Sequence, residues 1–191
     1  MKVLALNSSP RPQGNTTQLI EMVFDEIKKE DSTVETEIIQ LNNKKINPCV
    51  ACFKCMKNKD GKCIQNDDLN ELIEKILDVD CLILGSPVYW ASISGKMKCF
   101  IERTGMVCRA NDYSLAKKIG VPIIAVRRQG ALPVFSTMTY FFHAMQMVMI
   151  GATYWNLGIG LAPGDVQKDD EGKENMKSLG KNIAWLLNKI K

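Results

Sequence analysis

The sequence predicts an α/β fold, a doubly wound parallel sheet with helices on both faces. Stretches of strand length alternate five times with stretches of helical periodicity. The first strand, Val3 to Leu6, is a continuous apolar run, the pattern of a strand buried on both faces. No internal repeat, low-complexity tract or linker divides the 191 residues, which read as one domain with its own core.

After the first strand, Asn15 is placed to cap a helix carrying Leu19, Ile20, Val23, Phe24 and Ile27 at helical spacing. Val34 to Leu41 alternates and reads as the second strand. A second helix opens at Asp67-Asp68, where Asp68 and Glu71 have capping-box spacing, and carries the stripe Leu69, Leu72, Ile73, Ile76 and Leu77. Cys81 to Gly85 is a third strand, Lys96 to Gly105 a third helix, and Val121 to Val126 a fourth strand. Val134 to Ile150 reads as a fourth helix and Thr153 to Gly158 as a fifth strand. Met176, Leu179, Ile183, Leu186, Leu187 and Ile190 mark a final amphipathic helix. The longest irregular stretches are Asn42 to Asn66 and Val107 to Lys118, and long loops in compact domains usually carry function.

Composition narrows the function classes. Hydrophobic residues make 46% of the chain and charged ones 24%, as in ordinary globular proteins. The net charge of +4 is spread over scattered lysines, with no basic run interleaved with aromatics, so no nucleic-acid partner is expected. The chain begins directly with a strand, which leads us to expect a cytoplasmic location, where disulfides are rare. No Asp, Glu, Lys or Arg occurs from Gln129 to Gly164, but the helical part is too short and too polar to span a membrane. A helix apolar nearly all round is instead expected to be deeply buried or to form a subunit interface.

Four of the seven cysteines, Cys49, Cys52, Cys55 and Cys63, have the spacing C-x2-C-x2-C-x7-C. Thiolates converging in this way suit a 4Fe-4S cluster or a zinc ion, while reduced thiols without metal also satisfy the spacing. Cys81 and Cys99 fall in a predicted strand and helix and read as apolar packing residues, and Cys108 as a spectator thiol. His143, the single histidine, lies in the apolar helix and reads as structural. Met138, Met145, Met147 and Met149 read as packing or an oligomer seam.

Three further loops follow strands, where open α/β sheets bind ligands. Ser8 to Thr17 joins the first strand to a helix start, and its hydroxyls, Arg11 and free amides suit a phosphate or an ordinary polar turn with a helix cap. It matches neither the Walker A nor the dinucleotide fingerprint. Gly85 to Gly95 carries Tyr89 and Trp90, which suit a flat ring, the core or a subunit contact. Arg127-Arg128-Gln129-Gly130-Ala131 places a glycine where backbone approaches a ligand, with an arginine for a reduced flavin's charge, or forms a solvated basic turn.

Ser9-Pro10-Arg11 with Asn15-Thr16, Pro87-Val88-Tyr89-Trp90 with Ser94-Gly95, the Arg-Arg-Gln-Gly turn and the cysteine motif followed by Asp67-Asp68 carry a resemblance over nearly the whole chain. The chain resembles the NAD(P)H-dependent FMN reductase-like branch of the flavodoxin-like superfamily, and within it the iron–sulfur flavoproteins. The resemblance implies a flavodoxin-like five-stranded sheet of order 2-1-3-4-5. It implies that Ser9, Arg11, Gln13, Asn15, Thr16 and Thr17 hold the FMN phosphate. It further implies that Pro87, Val88, Tyr89, Trp90 and Ser92 line the ring, with Gln129 and Gly130 opposite. It implies a homodimer or homotetramer with the cluster of one subunit near the flavin of another. The expected activity is electron transfer from a one-electron donor such as ferredoxin through the 4Fe-4S cluster and FMN to an acceptor. The alternatives are a cluster-free NAD(P)H-dependent FMN or quinone reductase, a non-enzymatic flavin module and a zinc-stabilised interaction protein.

Overall fold

The computed structural model describes residues 1–190. The elements in chain order are β1 (Lys2–Asn7), α1 (Asn15–Glu30), β2 (Glu35–Gln40), α2 (Lys54–Asn58), α3 (Leu69–Leu77), β3 (Cys81–Pro87), α4 (Gly95–Ala110), β4 (Ile119–Val126), α5 (Ala131–Ala144), β5 (Val148–Met149), β6 (Leu157–Ile159) and α6 (Asp170–Lys189). The strands form one parallel sheet of order β2-β1-β3-β4-β5, with β6 also paired to β4. This is the flavodoxin-like order that the resemblance implied.

Side-chain alternation divides the core into two layers. Val3 and Ala5 of β1, Cys81 and Ile83 of β3 and Val121 and Ile123 of β4 point to one face, where α1 and α6 cover them with Leu19, Ile20, Val23, Met176, Leu179 and Ile183. Leu4, Leu6, Leu82, Leu84, Ile124 and Val126 point to the other, under Leu72, Ile76, Met97, Phe100, Val134 and Phe142 of α3, α4 and α5. Each fully buried Leu, Ile or Phe contributes about 1.5–3 kcal/mol of transfer free energy. Both layers are therefore needed, and both leave the loops at the strand ends free for binding.

Several boundaries differ from the sequence reading. Gly14, not Asn15, is the N-cap of α1, and no side chain caps it. Asp68 does precede α3, but no capping box forms: its carboxylate accepts from the Lys45 amide at 2.6 Å, and Glu71 pairs with Lys44 at 2.9 Å. The Leu69 amide is taken instead by Asp67 at 3.3 Å. α4 runs on to Ala110, and the following turns span 111–118.

The fourth predicted helix ends early. α5 stops at Ala144, Gln146 turns through φ +58°, and Val148-Met149 pairs with the start of β4. An apolar run such as Met147 to Ile150 satisfies a helix or a strand equally in sequence. The fifth strand is correspondingly split: β5 pairs with Ile119 and Gly120, and β6 pairs with Ile124 to Val126. Between them the chain leaves the sheet, because Asn175 of α6 takes the Tyr154 amide at 3.1 Å and donates to the Trp155 carbonyl at 2.6 Å. α6 begins at Asp170, six residues ahead of the first residue of its apolar stripe, capped by Asp169 accepting from Gly172 N at 2.9 Å.

Among the described residues no helix is long and apolar enough to cross a membrane. Met138, Met145 and Met147 are buried, whereas Met149 and His143 are exposed.

Candidate functional site

Four loops meet beyond the carboxyl ends of β1, β3, β4 and β6. They enclose a cleft of about 250 Å³ lined by Ser9, Arg11, Gly14, Asn15, Thr16, Pro87, Val88, Tyr89, Ala125, Arg127, Gly160 and Leu161. The strand order reverses between β1 and β3, the crevice where such sheets bind ligands.

The first loop is held by its own polar groups. Asn7 accepts from the Ser9 amide at 2.9 Å and donates to Thr17 Oγ1 at 2.8 Å, and Thr17 donates to the Pro12 carbonyl at 2.5 Å. The first intrahelical bond of α1 runs from Gln18 N to the Gly14 carbonyl at 3.2 Å. The amides of Asn15, Thr16 and Thr17 therefore belong to the open first turn, which favours an anion.

Asn15 has a different role from the cap that its position suggested. Its Nδ2 donates to the Ala162 carbonyl at 3.0 Å, and its Oδ1 accepts from the Gly164 amide at 2.9 Å. This draws the loop after β6 over the helix start. Arg11 donates to the Leu161 carbonyl at 3.3 Å from the other side.

The second loop is a tight hairpin tip in which the Tyr89 and Ser92 backbones exchange hydrogen bonds of 2.9 Å. Trp90 and Ala91 at its apex have φ of +50° and +55°, and Trp90 is 100% exposed. Non-glycine residues pay about 1–3 kcal/mol for such conformations, which cluster at binding sites. Gly130, at φ +90°, packs beneath this tip, where an added Cβ would lie 3.1 Å from the Ala91 Cα and from Val88 Cγ1.

Of the predicted residues, Ser9, Arg11, Asn15, Thr16, Pro87, Val88 and Tyr89 line one cleft. Thr17 is buried behind it, Gln13 and Gln129 are exposed outside it, and Trp90, Ser92 and Gly130 form or support the hairpin tip at its edge. Sequence reasoning missed Gly160 and Leu161. The signal was the small-residue run Gly158 to Gly164, where a Cβ at Gly160 would meet Asn15 Nδ2 at 2.7 Å and the Val166 amide at 2.9 Å.

The cysteines form a second, separate site. Cys49, Cys52, Cys55 and Cys63 line one small pocket of about 30 Å³ with Phe53, Ile64, Arg103 and Met106. Ala51 and Phe53 take positive φ of 50° and 52°, which winds the loop around this pocket before α2. Cys63 is fixed by Asn70, which accepts from its amide at 2.8 Å and donates to its carbonyl at 2.9 Å. Asp67 anchors the base of the loop: it accepts from the Asn47 amide at 3.0 Å and pairs with Arg103. Burial opposes the charge on Asp67, but the Arg103 guanidinium and the Asn47 and Leu69 amides together outweigh it and hold the carboxyl below its usual range. Burial pushes the Cys55 thiol up.

Among the described residues no three metal-ligating side chains gather tightly enough for a single ion. A cubane, whose thiolates attach to four separate irons, needs a wider spacing, and the donor set has its chemistry. Cys49 and Cys52 are exposed, as are Val50, Phe53 and Ile64, so few packed contacts fix the loop against adjusting. The three remaining cysteines lie elsewhere: Cys81 is buried in β3 with its thiol pushed far up by burial, Cys108 is buried in α4, and Cys99 is half-buried on the same helix.

Residues 1–162 match the family model of NADPH-dependent FMN reductases. An iron-sulfur flavoprotein of Methanocaldococcus jannaschii is 36% identical over 198 residues, covering 100% of both chains. Another, from Archaeoglobus fulgidus, is 30% identical over 96% of this chain and 94% of its own. Among solved structures, RosB with bound 8-demethyl-8-formylriboflavin-5'-phosphate superposes with a TM-score of 0.75 at 18% identity, covering 100% of this chain and 80% of that one, a likeness of fold. The chain belongs to the NADPH-dependent FMN reductase family, and within it to the iron-sulfur flavoproteins.

Proposed function

We propose that this flavoprotein oxidoreductase binds FMN in the cleft beyond β1, β3, β4 and β6. We also propose that Cys49, Cys52, Cys55 and Cys63 hold a 4Fe-4S cluster that receives electrons from a one-electron donor such as ferredoxin. The observation that carries the reading is the pairing of two sites: an anion-favouring helix start with an adjoining apolar wall, and four thiols lining one pocket. When bound, FMN supplies one- and two-electron chemistry and the cluster one-electron chemistry.

The chain's own residues bind and orient. The open amides of α1, with Ser9 and Arg11, receive the phosphate, and Pro87, Val88 and Tyr89 form a wall for the ring. Arg127 supplies positive charge at the cleft, which favours an anionic reduced flavin. Among the described residues, no Asp, Glu or His lines the cleft, and this reading requires no protein acid or base. The names of the relatives support FMN and the cluster for this chain.

A homodimer or homotetramer belongs to the same reading. Leu132 is 53% exposed on α5, and Tyr140, 73% exposed, lines a groove of about 540 Å³ between α4 and α5. Sedimentation of the FMN-loaded protein tests it, and a monomer at micromolar concentration refutes it.

The experiment for the cofactors is anaerobic purification, an absorption spectrum, and iron, sulfide and FMN counted per chain. The expected result is about four irons, four sulfides and one FMN. The small size of the cysteine pocket favours a second reading, a cluster-free NAD(P)H-dependent reductase. Stopped-flow reduction separates the two: reduced ferredoxin is the faster donor in the first and NADPH in the second.

A further inference from the structure

Arg103 sits in the middle of α4 with its side chain 1% exposed, and its charge is only partly engaged. One edge is satisfied: Nη1 donates to Asp67 Oδ2 and, at 3.2 Å, to the Asn47 carbonyl. The other is not. Nε and Nη2 are buried without a hydrogen-bond partner, and Arg103 is one of the residues lining the four-cysteine pocket. Burial opposes the guanidinium's charge, and Asp67 and then the nearby Cys63 thiol favour it.

Buried donors without partners are rare in native proteins and call for an explanation. A guanidinium stays charged and presents its N–H groups in a rigid fork. Here one edge of the fork is used to fix its orientation and the other is left unpaired in a residue that lines the pocket of the thiols. Sulfur acceptors in a negatively charged iron–sulfur cluster match that free edge. The Asp67–Arg103 pair is neutral as a unit, so any influence on the pocket comes from short-range, directional N–H bonds.

We infer that Arg103 donates hydrogen bonds from Nε and Nη2 to sulfur of the cluster bound at Cys49, Cys52, Cys55 and Cys63, and so raises its reduction potential. The inference rests on the cluster reading above. Hydrogen bonds to cluster sulfurs stabilise the more negative, reduced state and raise the potential. Asp67 is the positioning residue that holds the guanidinium in register.

Two measurements on anaerobically reconstituted protein test it. The first is the cluster's midpoint potential in wild type and in Arg103→Lys, which keeps the charge and the Asp67 pair but loses the fork. The expected change is about tenfold against reduction, or roughly 59 mV more negative for one electron. An unchanged midpoint at equal iron content overturns the inference. The second needs no variant: pulsed electron paramagnetic resonance of the reduced cluster in wild-type protein made with isotopically labelled arginine. A guanidinium nitrogen coupling is expected, and its absence overturns the inference even where Arg103→Lys fails to fold. Wild-type protein that takes up FMN but never iron overturns the cluster reading itself, and the inference with it.

Discussion

The side chain of Asn15 bridges the first turn of α1 to the loop after β6, accepting from Gly164 N at 2.9 Å and donating to the Ala162 carbonyl at 3.0 Å. The two ends of this bridge are 149 residues apart in sequence. It joins two of the loops that line the cleft.

Asn15→Ala removes both bonds and leaves the Gly164 amide and Ala162 carbonyl to solvent. At about 1 kcal/mol per bond, a stability loss of about 2 kcal/mol is expected from urea unfolding. FMN affinity, read by quenching of flavin fluorescence on binding, is expected to fall roughly tenfold, equivalent to about 1.4 kcal/mol. Unchanged affinity would show that the loop after β6 plays no part in binding.

Gly130→Ala forces a Cβ onto a residue at φ +90°, 3.1 Å from the Ala91 backbone. Left-handed strain costs about 1–2 kcal/mol, and the hairpin tip carrying Tyr89 and Trp90 must move. FMN affinity is expected to fall with little change in helix content, measured by fluorescence titration and circular dichroism.

Trp90→Ala separates binding from folding. The side chain is fully exposed, so the unfolding free energy should stay within about 0.5 kcal/mol of wild type. FMN binding is expected to weaken and the flavin spectrum to shift. Identical titrations for variant and wild type would remove Trp90 from the site.

Replacing Cys49, Cys52, Cys55 or Cys63 singly by alanine is expected to lower iron per chain well below wild type. Cys81→Ala is expected to leave it unchanged, because that thiol is buried in β3 and held in its neutral form by desolvation. Iron counted after anaerobic reconstitution checks all five, and equal iron throughout would exclude these ligands.

Glu26 gives a pH dependence remote from either site. It lies on α1 facing α6, only 6% exposed, and a hydrogen bond from Lys29, with Lys181 nearby, holds its carboxyl below the usual range. A depressed folded pKa stabilises the fold at pH above the unfolded value of about 4.3, and this contribution is lost as pH falls through the folded pKa. Glu26→Gln should therefore be less stable than wild type at pH 7, with the difference shrinking below about pH 4. Urea midpoints across that range check it, and a constant difference would assign the effect to packing.

The sequence by itself determined the sheet and its helices, because burial on two faces leaves a periodic record in β1, β3, β4, α1 and α6. It also located the polar loop after β1, the aromatic loop and the cysteine motif, since each is contiguous. Tertiary structure alone decided the rest, because these features depend on partners far along the chain. The split of the fifth strand follows from Asn175 of α6 capturing the Tyr154–Trp155 backbone. The role of Asn15 follows from a loop 147 residues away. The orientation of Arg103 depends on Asp67, 36 residues before it, and no local pattern records a buried side chain with an unpaired edge that lines a pocket of thiols from another loop.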